Sequence, residues 1–169
     1  MNKDQFIKIF KESLGAITAE RFYETERGYQ GQLLIELDNR FKREHNVPNQ
    51  TIIEQEYQKT LPNHGIDIRP DIIFHIPHEA GVHQDRRDGN FVVIECKLKA
   101  TQRKAIEDFN NLDLMFEKLN YPLGIFLNID SDKTFYEKYT GRYKNRLCCF
   151  AVQLVDGKVK IIEHGGRET

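Results

Sequence analysis

The chain has 169 residues, 39% of them hydrophobic, which suffices for one compact domain with a sizeable core but rarely for two. Its 25 Lys and Arg stand against 26 Asp and Glu, a formal net charge of −1, so no global field marks it as a nucleic-acid or membrane binder. Any such partner must be held by a local patch. No run approaches the ~20 apolar residues of a membrane span. The N-terminal stretch MNKDQFIKIFKESLG threads charges through its apolar positions, whereas a signal peptide needs an unbroken apolar core. A cytoplasmic location without membrane contact is expected. The cysteines, Cys96, Cys148 and Cys149, sit in strand-like apolar runs outside any C-x-x-C spacing, which predicts free buried thiols rather than a cysteine zinc site.

Phe6, Ile9, Phe10, Leu14 and Ile17 recur at helical spacing and predict a short amphipathic helix packed on the body. Thr25 is a suitable N-cap for a second helix through ERGYQGQLLIELDNRFKREHN, with Leu33, Leu34, Leu37 and Phe41 as its apolar stripe and Pro48 as its stop. Three strand-like runs follow: 51–59, 68–76 and 91–99. The first two are joined by PNHG and the last two by the polar loop HEAGVHQDRRDGN. Ala105, Ile106, Phe109, Leu112, Met115, Phe116 and Leu119 then predict a helix from about Thr101 to Asn120. YPLGIFLNI (121–129) reads as a strand, SDKTFYEKYTGRY as a surface helix and loop, and RLCCFAVQLV with KVKIIEH as a closing hairpin around Asp156-Gly157. This order predicts an α/β fold with a mixed central sheet flanked by helices.

Within FVVIECKLK, the alternation of a strand puts Phe91, Val93, Glu95 and Lys97 on one face and Val92, Ile94, Cys96 and Leu98 on the other. Both faces begin apolar and only one turns charged. Each buried charge costs several kcal/mol to desolvate unless it is paired or coordinates a metal. Glu95 and Lys97 can pair with each other, but the preceding run IRPDIIFHI supplies another acid, Asp71, directly after Pro70. If the two runs form a hairpin, partners have numbers summing to about 166–168, which sets Asp71 opposite Glu95 or Lys97. Two hard oxygen ligands converging from adjacent strands suit Mg²⁺, which keeps several waters and binds phosphate oxygens.

Pro70-Asp71, a spacer, and Glu95-Cys96-Lys97 at a strand end resemble the signature of the PD-(D/E)xK nuclease superfamily, whose fold is restriction-endonuclease-like. Its core of a helix, three strands, a helix and a further strand corresponds to residues 25–130 or so, leaving 1–24 as an N-terminal helical extension and 131–169 as a C-terminal helix and hairpin. The resemblance implies hydrolysis of phosphodiester bonds with Mg²⁺, for which Mn²⁺ can substitute. It implies Asp71 and Glu95 as metal ligands, the Cys96 carbonyl as a third, and Lys97 as the group that orients or activates the attacking water and stabilises transition-state charge. The superfamily often adds an acid from the first core helix. At about 100° per residue, Glu26 falls about 20° from Leu33 and Glu36 about 60° to its other side, so Glu26 faces the sheet more directly and Glu36 is the reserve. Gln102 is followed by Ile106, so the Q-x-x-x-Y signature of one branch of the superfamily is absent.

Arg69, Lys99, Gln102, Arg103 and Lys104 form a basic cluster beyond the motif for contacts to nucleic-acid phosphates, and Arg142, Lys144 and Arg146 a second patch. A rival zinc site at His75, His78, Glu79 and His83 lacks the helical i, i+4 geometry of H-E-x-x-H, because His75 ends a strand and Pro77 interrupts the run. The pairs Phe22-Tyr23 and Phe135-Tyr136 read as packing rather than base-stacking platforms. The expected function is a metal-dependent nuclease acting on DNA in preference to RNA. A homodimer with one site per strand, or a partner protein supplying specificity, is expected with it. The alternative is a catalytically silent nucleic-acid- or protein-binding module on the same fold.

Overall fold

The computed structural model describes residues 1–43, 50–77, 85 and 87–166. Helix α1 (Lys3–Ala16) starts at a capping box, in which the Gln5 amide donates to Asn2 Oδ1 at 2.9 Å and the Asn2 amide to Gln5 Oε1 at 3.0 Å. Helix α2 (Glu26–Phe41) starts at Thr25, whose hydroxyl accepts from the Gly28 amide at 3.0 Å. The expected stop at Pro48 lies outside the described residues, as do His78, Glu79 and His83 of the zinc alternative.

Six strands form one sheet in sequence order. They are β1 (Ile52–Gln55), β2 (Ile72–His75), β3 (Asn90–Leu98), β4 (Leu123–Ile129), β5 (Leu147–Val155) and β6 (Lys158–Gly165). Neighbours β1/β2, β2/β3 and β5/β6 are antiparallel, while β3/β4 and β4/β5 are parallel. Parallel neighbours need a crossover, and helix α4 (Gln102–Leu119) supplies the one between β3 and β4. The architecture is thus the expected mixed sheet flanked by helices. Helices α1 and α2 cover one face, where Phe6 packs edge-on against Phe74 and Phe10 lies 5.0 Å from Phe150. Helix α4 covers the other with Phe109, Leu112, Met115 and Phe116 over Val93 and Phe126. A Cβ at Gly124 would lie 2.4 Å from the Phe116 ring, so this glycine lets α4 settle directly on β4.

Several elements differ from the sequence expectation. The runs 51–59 and 68–76 form only four-residue strands, because Glu56 turns into left-handed backbone (φ 52°) and Pro70 offers no amide to the ladder. Between them PNHG makes the single helical turn α3 (Leu61–His64), ended by Gly65 at φ 69°. The surface helix expected after β4 is instead two short 3₁₀ turns, Tyr136–Lys138 and Lys144–Arg146. Phe91 does not share the face of Val93. Phe74 pairs with Val92 and His75 with Asn90, so Phe91 is the extra residue of a bulge and its ring turns towards Phe6 at 5.8 Å. The closing hairpin turns at Asp156 (φ 50°) and Gly157 (φ 71°), the two positive φ values a tight hairpin turn requires. All three cysteines are free and buried. Among the described residues, no helix is long and apolar enough to cross a membrane.

Candidate active site

Strand β3 pairs with β2 at a sum of 166 (Ile72 with Ile94, Ile73 with Val93), and Asp71 stands one residue before β2 begins. The same register continued by one residue sets Asp71 opposite Glu95, one of the two expected partners. Its carboxylate reaches across to β3, where Oδ2 accepts from the Cys96 amide at 2.7 Å. Glu26 arrives from the opposite layer, since the first turn of α2 ends beside the last residues of β3. Its Oε2 accepts from the Leu98 amide at 3.0 Å. Glu36, the reserve, is elsewhere: it accepts from Gln32 at 3.1 Å and pairs with Arg40 at 3.4 Å along its own helix.

Lys97 is the hub of this arrangement. Its Nζ lies 4.0 Å from Glu26 Oε1, 3.7 Å from Asp71 Oδ2 and 3.6 Å from Asp108 Oδ2, and it donates to the Cys96 carbonyl at 2.9 Å. That carbonyl keeps a second lone pair. The ion pairs of Lys97 thus go to Glu26, Asp71 and Asp108, and the simple local pair with Glu95 does not form. Glu95 is 4% exposed and its Oε1 has no hydrogen-bond partner.

Asp108 escaped the sequence reading. It sits at i+3 from Ala105 and i−4 from Leu112, inside the apolar stripe of α4, and is 5% exposed with Oδ2 unpartnered in any hydrogen bond. A carboxylate interrupting a core stripe was the available signal. Asn128, fully buried beside Lys97 on β4, was missed as well. It accepts from the Ala100 amide at 2.8 Å and donates to the Lys133 carbonyl at 2.8 Å, which fixes the chain where β3 turns into α4.

The electrostatics follow from four carboxylates around one ammonium. Burial pushes the Glu95 carboxyl well above the usual range, and the charges of Asp71 and Asp108 push it further against the pull of Lys97. Asp108 is pushed up to about 7, by burial first and then by Asp71 and Glu26, with Lys97 opposing. Burial lowers the Lys97 ammonium, but Asp71, Asp108, Glu95 and Glu26 together outweigh it, so its pKa is raised. Lys97 is a charged donor at neutral pH.

The donors are of the type a hard divalent cation takes: carboxylate oxygens of Glu26 on α2, Asp71 just before β2 and Glu95 on β3, and the Cys96 carbonyl. No group of three or more His, Cys, Asp and Glu side chains is arranged to hold a metal ion among the described residues. A cation here would therefore complete its shell with water or substrate oxygens, as Mg²⁺ commonly does.

The expected phosphate contacts are exposed and mostly engaged within the chain. Arg69 lies 3.6 Å from Glu56, Lys99 pairs with Asp130 at 2.8 Å, and Arg103 with Glu107 at 3.3 Å. Gln102 and Lys104 extend from the first turn of α4, which Thr101 caps. In the second patch Arg142 and Arg146 flank the Tyr143 ring at 5.2 and 5.4 Å. His75 is occupied by Glu54, Nε2 to Oε2 at 2.5 Å.

No protein family and no curated protein matches the chain. Among solved structures, NucC of E. coli MS115-1 in its cAAA-bound form is similar over 97% of this chain and 84% of that chain, with 11% identity and a TM-score of 0.45. NucC of P. aeruginosa ATCC27853, also cAAA-bound, is similar over 97% of this chain and 84% of its own, with 8% identity and a TM-score of 0.45. At these values the likeness carries no functional argument, which rests on the residues of the site.

Proposed function

We propose that this chain is a divalent-metal-dependent nuclease that hydrolyses phosphodiester bonds, with DNA as its substrate. The observation that carries the reading is the convergence of Glu26, Asp71 and Asp108 within 4.0 Å of Lys97 Nζ, with Glu95 buried beside them and its Oε1 without a hydrogen bond. Such a concentration of carboxylates opposes folding unless something bound repays it. The match of Pro70-Asp71 and Glu95-Cys96-Lys97 to the PD-(D/E)xK signature supports the same reading.

Glu26, Asp71, Glu95 and the Cys96 carbonyl would supply the cation's protein ligands, the acids having to draw together on binding, since no three of them are arranged around one point. When bound, Mg²⁺ or Mn²⁺ supplies Lewis-acid polarisation of the phosphoryl group and a water of lowered pKa. Lys97, kept charged by its neighbours, donates from Nζ to the attacking water or a non-bridging phosphoryl oxygen and stabilises the charge that grows there. It orients the water rather than removing its proton. The backbone amides of Cys96 and Leu98 hold the Asp71 and Glu26 carboxylates in place, so their geometry is set before substrate arrives. Lys99, Gln102 and Lys104 at the start of α4, with Arg69 and Arg103, would contact flanking phosphates, and a second copy of the chain would serve the opposite strand of a duplex.

A binding module is the second reading. It is favoured by the hydrogen bonds that Asp71 and Glu26 already make to backbone amides, which give both acids a structural use. Supercoiled plasmid, linear duplex, single-stranded DNA and RNA incubated with wild type and Lys97→Ala, in Mg²⁺, Mn²⁺ or EDTA, separate the two. Metal-dependent cutting that disappears in the variant establishes the nuclease. Binding without cutting, indifferent to metal and to Asp71→Ala, establishes the module.

A further inference from the structure

We infer that Asp108 is a positioning residue that holds the Lys97 ammonium in its working place from the opposite side of the site, an inference that rests on the nuclease reading. Asp108 differs from the other acids in origin and surroundings. Glu26 and Asp71 each accept a backbone amide of β3, whereas Asp108 projects from α4 and its Oδ2 has no hydrogen bond at all. The group it approaches is Lys97 Nζ, at 3.6 Å, an ion-pair distance slightly too long for a hydrogen bond.

Lys97 has three carboxylate neighbours. In the proposed reaction two of them, Glu26 and Asp71, direct their charge at the cation, and the ammonium is then repelled by that cation. Asp108 is the neighbour outside the ligand set. Its charge, held in a low-dielectric layer between Ala105, Phe109 and Leu112, keeps Nζ towards α4 and leaves its remaining hydrogens for water or phosphate. The position would otherwise suit an apolar residue, since it lies in the core stripe of an amphipathic helix. A carboxylate retained there at the expense of packing points to a use that packing does not require.

The substitution Asp108→Asn preserves shape and removes charge. Because Lys97 keeps Glu26 and Asp71 in the free protein, the melting temperature should stay level or rise, whereas loss of a structural ion pair would lower it. Cutting should fall about 10- to 100-fold in kcat with KM for DNA changed less than about threefold, because a misplaced donor weakens the transition state more than substrate binding. Asp108→Glu should recover part of the rate. In a Lys97→Ala background, Asp108→Asn should produce no further loss, since a residue acting through Lys97 has nothing left to position. Calorimetric Mg²⁺ affinity should remain within about twofold of wild type; a larger loss would make Asp108 a ligand instead.

One readout does not depend on cutting. With Mg²⁺ bound, acylation of Lys97 by a small amine-reactive ester, followed by mass spectrometry, should run at least about fivefold faster in Asp108→Asn than in wild type, because the released side chain reaches solvent, where Nζ can give up the proton that blocks its lone pair and attack the ester. If wild type cleaves nothing, the nuclease reading fails while this comparison still decides the role of Asp108. Equal acylation in the two proteins, or additive losses in the double variant, overturns the inference.

Discussion

The two ends of strand β2 bury charge in opposite ways. At the His75 end the charged groups have partners: His75 Nε2 meets Glu54 Oε2 at 2.5 Å, and Lys59, 2% exposed, lies 4.4 Å from the centre of the Tyr57 ring. Burial lowers the His75 pKa, with Glu54 opposing. At the Asp71 end three acids share Lys97, and two buried oxygens, Glu95 Oε1 and Asp108 Oδ2, have no hydrogen bond. Buried charges are ordinarily paired, as His75 and Glu54 are, although the neighbouring Tyr121 and Thr60 hydroxyls also lack hydrogen-bond partners. Carboxylates crowded in this way, with two of their oxygens left without a hydrogen bond, mark the Asp71 end as the candidate site.

If that contrast is sound, substitutions at the two ends should damage different properties. Lys97→Ala should reduce metal-dependent cutting by about a thousandfold or more while leaving the fold intact by circular dichroism. Asp71→Asn, which keeps an oxygen for the Cys96 amide, should reduce cutting about a hundredfold and weaken Mg²⁺ binding, measured by calorimetry. His75→Ala should do the reverse: cutting within about threefold of wild type, but stability lower by about 1–2 kcal/mol in urea unfolding, from loss of a part-buried hydrogen bond. A large loss of activity in His75→Ala would dissolve the distinction.

The smallest expected effect is on pH dependence. Asp108 rises from 3.8 to about 7 on folding, so between those values the folded protein binds a proton that the unfolded chain has released. The contribution of this group to stability is therefore full below about pH 4 and lost as pH rises towards 7. The melting temperature of the metal-free protein should decline across that window. Asp108→Asn should flatten the decline, and the His75 end should contribute nothing to it that Asp108→Asn removes.

Much of the site was legible along the chain because its residues are close in sequence to strong local patterns. A Pro-Asp pair opening one strand, and a Glu and Lys breaking an apolar strand two residues apart, show at a glance against a background of buried side chains. That Glu26 rather than Glu36 turns towards the sheet was also legible, since helical rotation alone separates it from a residue that pairs along the helix surface. Asp108 was visible only as an irregularity in the α4 stripe, and its meaning needed the distance to Lys97. Asn128 looked like any polar residue near a strand end. The 3₁₀ turns of 131–146 escaped because their aromatics, Tyr136, Tyr139 and Tyr143, mimic helical spacing while docking over the α4 layer.

What the sequence by itself determined is the main helices and strands and the charges that α2, β3 and the start of β2 carry. Periodicity of two or near 3.6 dictates which side chains share a face, and burial of a charge is already evident where one interrupts an apolar run. What only the tertiary structure decided is which of those charges meet. The register of β2 on β3, the bulge at Phe91, the entry of α2 beside Leu98 and the seat of α4 over Gly124 join residues up to 82 positions apart, from Glu26 to Asp108, around one ammonium. Contacts of that separation depend on packing between whole elements, which no local pattern encodes.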